Sequence, residues 1–299
     1  MTLYTGRFAP SPTGPLHFGS LVAAVASYCD AKSQQGHWLL RIEDLDKPRE
    51  IQGASKQIIE TLLRFGFEWD GDIVYQSDRT ALYQQAFNQL KAMDWLYPCT
   101  CSRKEIADSS QLIGIEGVIY PKTCLHQAIK PNTPKAWRIK TENITLKFED
   151  NIQGLINYRL SQEIGDFVVL RTDQIFTYQL AVVVDDAAQG VTHIVRGADL
   201  LHSTPRQLYC QQLLNLPCPR YAHIPIARNA QGEKLSKQTR ATKIEQQDAS
   251  RLLFEALTFL HQEPPASLMH ASIASIWEWA IAHWDIHRIS IPHHFTHHK

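Results

Sequence analysis

Apolar and polar positions alternate between two periods in the first third of the chain. Residues 3–8 and 38–42 are short apolar runs, the pattern of strands. Between them Leu21, Val25 and Tyr28 recur at helical spacing, which predicts a helix over 21–32. Residues 54–66 repeat that spacing, with Ile58, Ile59, Leu62 and Leu63 expected inward and Gly66 standing where a left-handed residue stops a helix. Residues 79–93 do so again through Leu82, Tyr83, Ala86, Phe87 and Leu90. This alternation predicts an α/β fold around a parallel sheet.

The rhythm breaks over 97–134, which holds three cysteines, glycines and prolines but little periodicity, and reads as an insertion. Beyond it, 166–171 and 191–196 read as strands and 203–216 as a helix; 178–186 fits either type. A strand over 221–227 leads into a polar loop over 229–241. Residues 249–262 and 267–284 read as helices separated by Pro264-Pro265. Trp277, Ala280, Ile281 and Trp284 share one face, expected to pack on the body of the protein. The expected organisation is a body over 1–96 and 135–245, an insertion over 97–134 and a short helical C-terminal region over 246–299.

At 299 residues the chain can bury one substantial core with room for an insertion. Lys+Arg and Asp+Glu number 30 each, so a polyanionic partner needs a locally basic surface. No leader precedes the first strand, and the longest apolar runs, such as 180–184, are far too short to cross a bilayer. A cytoplasmic protein with reduced thiols and no membrane partner is the expectation. His293, His294, His297 and His298 read as a solvated tail. The sequence carries no Gly-x-Gly-x-x-Gly, Walker A or His-Glu-x-x-His motif, which sets aside the commonest dehydrogenase, NTPase and zinc-protease readings.

Two distant segments carry the candidate chemistry: Arg7-Phe8-Ala9-Pro10-Ser11-Pro12-Thr13-Gly14-Pro15-Leu16-His17-Phe18-Gly19-Ser20 and Lys234-Leu235-Ser236-Lys237-Gln238. His17 can donate a hydrogen bond to a phosphate oxygen, Gly19 lets a nucleotide approach the backbone, and the helix that follows presents free N–H groups and a positive dipole end. Lys237 adds a point charge on a loop able to close over a triphosphate. Arg7 and Glu43 stand at the ends of the first two strands, where open α/β sheets bind ligands. An arginine fork suits a carboxylate, and a carboxylate suits an ammonium. Cys99, Cys101 and Cys124 offer three soft ligands where structural zinc usually takes four; on spacing alone, His126 or Tyr120 could supply the fourth.

The two segments resemble the HIGH and KMSKS signatures of class I aminoacyl-tRNA synthetases, and the full first segment resembles their glutamyl branch. That resemblance implies a Rossmann-like catalytic domain over most of residues 4–240. His17 and Lys237 would then be catalytic, and His17, Gly19, Ser20, Lys234, Ser236 and Lys237 would bind ATP with Mg2+. Arg7, Phe8, Ala9, Pro10, Ser11, Glu43, Tyr178 and Arg196 would bind L-glutamate, with Glu43 on its amino group. Tyr178 lies in the family's tyrosine segment and Arg196 in its arginine segment, Thr192-His193-Ile194-Val195-Arg196-Gly197. Ser20 and Gln238 depart mildly from the usual signature endings.

The short stretch after the second signature resembles the glutamyl-queuosine tRNA(Asp) synthetases, which lack a full anticodon-binding domain. The resemblance implies glutamyl-AMP formation without tRNA and transfer of glutamate to the cyclopentenediol of queuosine in the tRNA(Asp) anticodon; a monomer is the expectation. It also selects Tyr120 as the fourth ligand, giving one structural Zn2+ per chain on Cys99, Cys101, Tyr120 and Cys124. The alternatives are a minimal glutamyl-tRNA synthetase charging tRNA(Glu) and an adenylate-forming nucleotidyltransferase that uses no tRNA.

Overall fold

The computed structural model of the chain describes residues 3–130, 132–226, 244 and 247–290. The predicted loop over 229–241 and the histidine-rich end lie outside the described residues. In chain order the first half comprises β1 (Thr5–Phe8), α1 (Phe18–Ser33), β2 (His37–Ile42), α2 (Ala54–Arg64), β3 (Val74–Tyr75), α3 (Thr80–Ala92), β4 (Leu96–Cys99), α4 (Arg103–Ser109), β5 (Ile113–Gly114) and β6 (Gly117–Val118). There follow β7 (Ala136–Ile139), β8 (Thr145–Asp150), β9 (Gly154–Arg159), β10 (Phe167–Leu170), α5 (Tyr178–Ala188), β11 (His193–Gly197), α6 (Thr204–Leu214), β12 (Arg220–Ile224), α7 (Ala249–Phe259) and α8 (Ile273–His283). The ambiguous stretch 178–186 is thus helical.

β1 pairs in parallel with β2, β2 with β3, and β11 with β12. The Thr192 N–H donates to the Thr5 carbonyl at 2.9 Å and joins β11 to β1. The resulting order, β3-β2-β1-β11-β12, reverses direction of travel at β1, the switch point at which a doubly wound sheet opens a crevice. One apolar core gathers α1, α2, α7 and α8 around β2; a second gathers α3, α5 and α6 around β4, β7 and β10.

Beside the expected parallel sheet the body carries antiparallel pairs. β4, β7 and β10 form an antiparallel sheet, and β8 and β9 an antiparallel hairpin whose first strand touches β12. The turn between β8 and β9 is too short for the crossover that parallel strands require. Leu146 and Asp150, with Ile156 and Tyr158 on the partner strand, face inward at the two-residue period.

Helix α2 ends as the sequence predicts. The Phe67 N–H donates to the Leu62 carbonyl and the Gly66 N–H to the Leu63 carbonyl, with Gly66 at φ +72°. Ile58 and Leu62 are buried, but Leu63 is 57% exposed and Ile59 half-buried, so the inward stripe is narrower than expected. Leu82 on α3 likewise points outward, because Tyr83, Ala86, Phe87 and Leu90 already fill the interface. The helix expected over 267–284 is two pieces: a 3-10 turn, Ala266–His270, and α8, whose first turn Ser272 caps by accepting from the Ser275 N–H. Trp277 packs against Tyr28 and Phe67 and donates Nε1–H to the Phe65 carbonyl at 2.9 Å, which docks α8 on the body.

Candidate active site

A cavity of about 840 Å3 opens at the C-terminal ends of β1, β2, β11 and β12. Every candidate for amino-acid and nucleotide binding among the described residues lines it: Arg7, Phe8, Ala9, Pro10, Ser11, His17, Gly19, Ser20, Glu43, Tyr178 and Arg196. Lys234, Ser236 and Lys237 lie outside the described residues. The Glu43 N–H donates to the Pro10 carbonyl at 3.0 Å, tying the two wall segments together.

His17 is the N-cap of α1. Its Nδ1 accepts from the Ser20 N–H at 3.2 Å, so in the neutral ring the proton sits on Nε2. One imidazole thus satisfies a helix-terminal amide and presents an N–H beside the positive end of the helix.

Arg7 is held from behind. Its Nε–H donates to Asp186 Oδ1 at 3.2 Å and its Nη2–H to Oδ2 at 3.5 Å. Arg41, fully buried, places Nη2 at 2.8 Å from the same Asp186 Oδ1 and donates to Glu43 Oε1 at 3.3 Å. Asp185 takes up the rest of the layer, accepting from Gln76, Arg79 and Tyr83. Burial alone would raise the Asp186 pKa, yet Arg7 and Arg41 outweigh it and hold the carboxyl below the usual range. Glu43 goes the other way: burial pushes its carboxyl up, with Arg41 and Arg7 pulling back only in part. A cation placed on Glu43 would favour its ionised form.

Arg196 is supported differently. Its Nε–H donates to His223 Nε2 at 3.0 Å, Nη1–H to Tyr178 Oη at 3.2 Å and Nη2–H to Thr204 Oγ1 at 2.9 Å. His223 Nδ1 lies 2.5 Å from Asp150 Oδ2. Burial, and the Arg196 charge, lower the His223 pKa to about 4 against the pull of Asp150, so the ring is neutral at physiological pH. Arg7 and Arg196 are both nearly inaccessible, and together they form a positive end wall suited to carboxylates.

The cysteines of the 97–134 segment converge. The Sγ atoms of Cys99, Cys101 and Cys124 lie within 4.8 Å of one another. Tyr120 Oη stands 3.4 Å from Cys99 Sγ and 3.5 Å from Cys101 Sγ, and Cys101 Sγ is 3.4 Å from Cys124 Sγ. Metal–sulfur bonds of about 2.3 Å and metal–oxygen bonds of about 2.0–2.2 Å give tetrahedral edges of about 3.5–3.8 Å. The 3.4–3.5 Å separations are close to those edges, so the three cysteines could hold a metal ion with Tyr120 Oη beside them, whereas His126 is exposed and outside the group. The segment seats on the body where the Ile115 N–H donates to the Glu163 carbonyl at 3.0 Å. A Cβ on Gly114 would come within 2.3 Å of that same oxygen, so only glycine permits the approach.

The supporting residues Arg41, Asp185, Asp186, Asp150, His223 and Thr204 were not among the candidates read from the sequence. A pair of carboxylates closing an apolar helical run, Asp185-Asp186, was the available signal, since carboxylates so placed need buried cations.

The chain matches the family described as tRNA synthetases class I (E and Q), catalytic domain, over residues 4–261. It is 53% identical over 289 residues to the glutamyl-Q tRNA(Asp) synthetase of Aromatoleum aromaticum, covering 97% of this chain and 90% of that protein. Identity to the protein of the same name from Dechloromonas aromatica is 51%, covering 94% of each. In fold it resembles the crystal structure of the glutamate-tRNA synthetase from Elizabethkingia anophelis, with a TM-score of 0.80 at 22% identity over 97% of this chain and 67% of that one. The chain belongs to the class I tRNA synthetases of the glutamyl and glutaminyl type and, within them, to the glutamyl-Q tRNA(Asp) synthetases.

Proposed function

We propose that this protein activates L-glutamate with ATP in the absence of tRNA and transfers it to the cyclopentenediol of queuosine in the anticodon of tRNA(Asp). The observation that carries this reading is the single cavity in which Arg7, Glu43, Tyr178 and Arg196 stand beside His17 and the start of α1, in a chain that its relatives match over nearly their whole length.

In this reading the two arginines neutralise the carboxylates of glutamate and Glu43 takes its ammonium. Tyr178 donates a hydrogen bond to the substrate, and Phe8, Ala9, Pro10 and Ser11 shape the wall. The triphosphate lies along Gly19 and Ser20 at the helix N-terminus. An α-carboxylate oxygen attacks the α-phosphorus in line and the bond to pyrophosphate breaks. His17 Nε2–H and, from the second signature, Lys237 stabilise charge developing on the phosphoryl oxygens, with Lys234 and Ser236 in the same loop. Mg2+ bound with ATP supplies further neutralisation of the triphosphate. A queuosine hydroxyl then attacks the carbonyl carbon of the mixed anhydride; it loses its proton, and AMP departs with the bonding pair, leaving an ester on the base.

The body over 1–96 and 135–245 carries these steps. The 97–134 segment would hold structural zinc through Cys99, Cys101, Tyr120 and Cys124, and α7 and α8 of the region 246–299 brace α1. The protein acts as a cytoplasmic monomer in this reading; among the described residues no helix is long and apolar enough to cross a membrane.

The test uses radiolabelled glutamate with tRNA(Asp) that carries or lacks queuosine. Label only on the modified RNA is expected. Equal label on both would refute the acceptor, and label on tRNA(Glu) alone would favour a minimal glutamyl-tRNA synthetase. Glutamate-dependent ATP–pyrophosphate exchange without tRNA tests the activation step by itself.

A further inference from the structure

The two arginines of the cavity differ in what compensates them. Arg7 pairs with a carboxylate, Asp186. Among the described residues no carboxylate lies within ion-pair distance of Arg196, whose partners are an imidazole, two hydroxyls and the Leu200 carbonyl. Asp150 stands one imidazole farther back. It is fixed at the end of β8 by its own turn: Oδ1 accepts from the backbone N–H groups of Ile152, Gln153 and His223 at 3.0, 2.9 and 3.1 Å. Only Oδ2 remains for His223 Nδ1.

We propose that Asp150 and His223 are positioning residues for glutamate selection: Asp150 fixes the ring proton on Nδ1, so that Nε2 accepts from Arg196 and the guanidinium meets the substrate without a protein carboxylate to neutralise it. The proposal rests on the reading above, in which Arg196 faces a substrate carboxylate. The imidazole acts as a spacer. It aims the guanidinium as a carboxylate would, but leaves its charge to be satisfied by an acidic ligand. A neutral amide such as glutamine offers no such compensation, so the arrangement discriminates between the two amino acids. This gives a role to the end of β8, which lies beside β12 in the sheet and delivers a buried acid to His223.

Asp150→Asn tests the device with an almost unchanged shape. The three backbone donors hold the amide oxygen at the Oδ1 position, which leaves Nδ2–H against His223 Nδ1. The ring proton must then move to Nε2, where it opposes Arg196 Nε–H. In ATP–pyrophosphate exchange with the full chain, we expect the glutamate KM to rise by about 10–100-fold, the range for losing a charge-assisted hydrogen bond, and the ATP KM to stay within about twofold. The preference for glutamate over glutamine should fall with it. Nitrogen-15 NMR of the imidazole should report Nδ1–H in the parent protein and Nε2–H in the variant. Arg196→Ala is the control. If it leaves the glutamate KM unchanged, the reading of the pocket fails. If it raises the KM while Asp150→Asn shifts neither KM nor tautomer, the relay alone is overturned. Should Asp150→Asn not fold, His223→Gln and His223→Leu carry the test. The glutamine side chain restores an acceptor and should hold the glutamate KM at least fivefold below that of the leucine variant; equal values overturn the relay.

Discussion

Arg41 Nη2 lies 2.8 Å from Asp186 Oδ1, the same oxygen that accepts from Arg7 Nε at 3.2 Å. One carboxylate therefore bridges two nearly inaccessible guanidiniums: it is the ion-pair partner of Arg7, which lines the cavity, and shares Arg41 with Glu43 and Asp185. Asp186→Asn keeps the shape and removes the charge. Arg7 then loses its ion-pair partner in a poorly solvated layer, while Arg41 keeps Glu43 at 3.3 Å and Asp185 at 3.9 Å; breaking a buried pair costs about 3–5 kcal/mol. Urea unfolding should show a lower midpoint, and pyrophosphate exchange should fall because Arg7 loses its support.

Glu43 yields a pH prediction with a definite sign. Burial raises its folded pKa above that of a free carboxylic acid. Binding an ammonium requires the ionised form, so below that raised pKa a proton must leave before glutamate can bind. The glutamate KM should therefore fall as pH rises through the region above the ordinary carboxylic-acid value. Glu43→Gln should show a higher KM and lose that part of the pH dependence. A variant profile parallel to that of the parent would place the titrating group elsewhere.

His223 makes a different prediction, for stability. Its folded pKa of about 4 lies below the ordinary histidine value of 6.5, so folding selects the neutral ring. The contribution is fully present above pH 6.5 and is lost progressively as pH falls toward 4, where the unfolded chain has taken up a proton and the folded chain has not. The difference amounts to about 3 kcal/mol at the acid end. Comparing the pH dependence of urea midpoints for the parent and His223→Gln isolates this term. The two curves should diverge most above pH 6.5 and converge toward pH 4.

The front of the cavity was legible in the sequence because it is local. Arg7 to Ser20 is one unbroken string, and Glu43, Tyr178 and Arg196 each sit in a recognisable run at the end of a strand or the start of a helix. The back of the cavity was not legible. Asp186 reaches Arg7 across 179 positions and Asp150 reaches His223 across 73, so neither pairing leaves a mark in any short window. Taken alone, each is an acid that would ordinarily be read as a surface ion pair. Secondary structure failed for a related reason at β8 and β9. Their two-residue alternation is present, but a parallel-sheet expectation left no place for a hairpin. Leu63 and Leu82 were misplaced because spacing gives the direction of an apolar face and not its width.

Tyr120 stands against the cysteine cluster. Its Oη stands 3.4 Å from Cys99 Sγ and 3.5 Å from Cys101 Sγ and accepts from the Cys124 N–H at 2.9 Å, so the backbone of the loop holds the phenol oxygen against the thiols. If the four donors take zinc, the purified chain should contain close to one equivalent. Tyr120→Phe keeps the ring stacked beneath Arg138, whose guanidinium carbon stands 3.9 Å from the ring centroid, and deletes only the oxygen. Competition with a chromogenic chelator should then show zinc affinity lowered by at least about tenfold, the scale on which even an indirect support of a metal ligand acts. His126→Ala should leave affinity unchanged. Stripping the metal should expose the 97–134 segment to proteolysis and depress transfer to tRNA more than pyrophosphate exchange, because the cluster lies in the insertion and the activation cavity is built from the parallel sheet. Equal loss of both activities, or a histidine variant weaker than the phenylalanine one, would contradict this assignment.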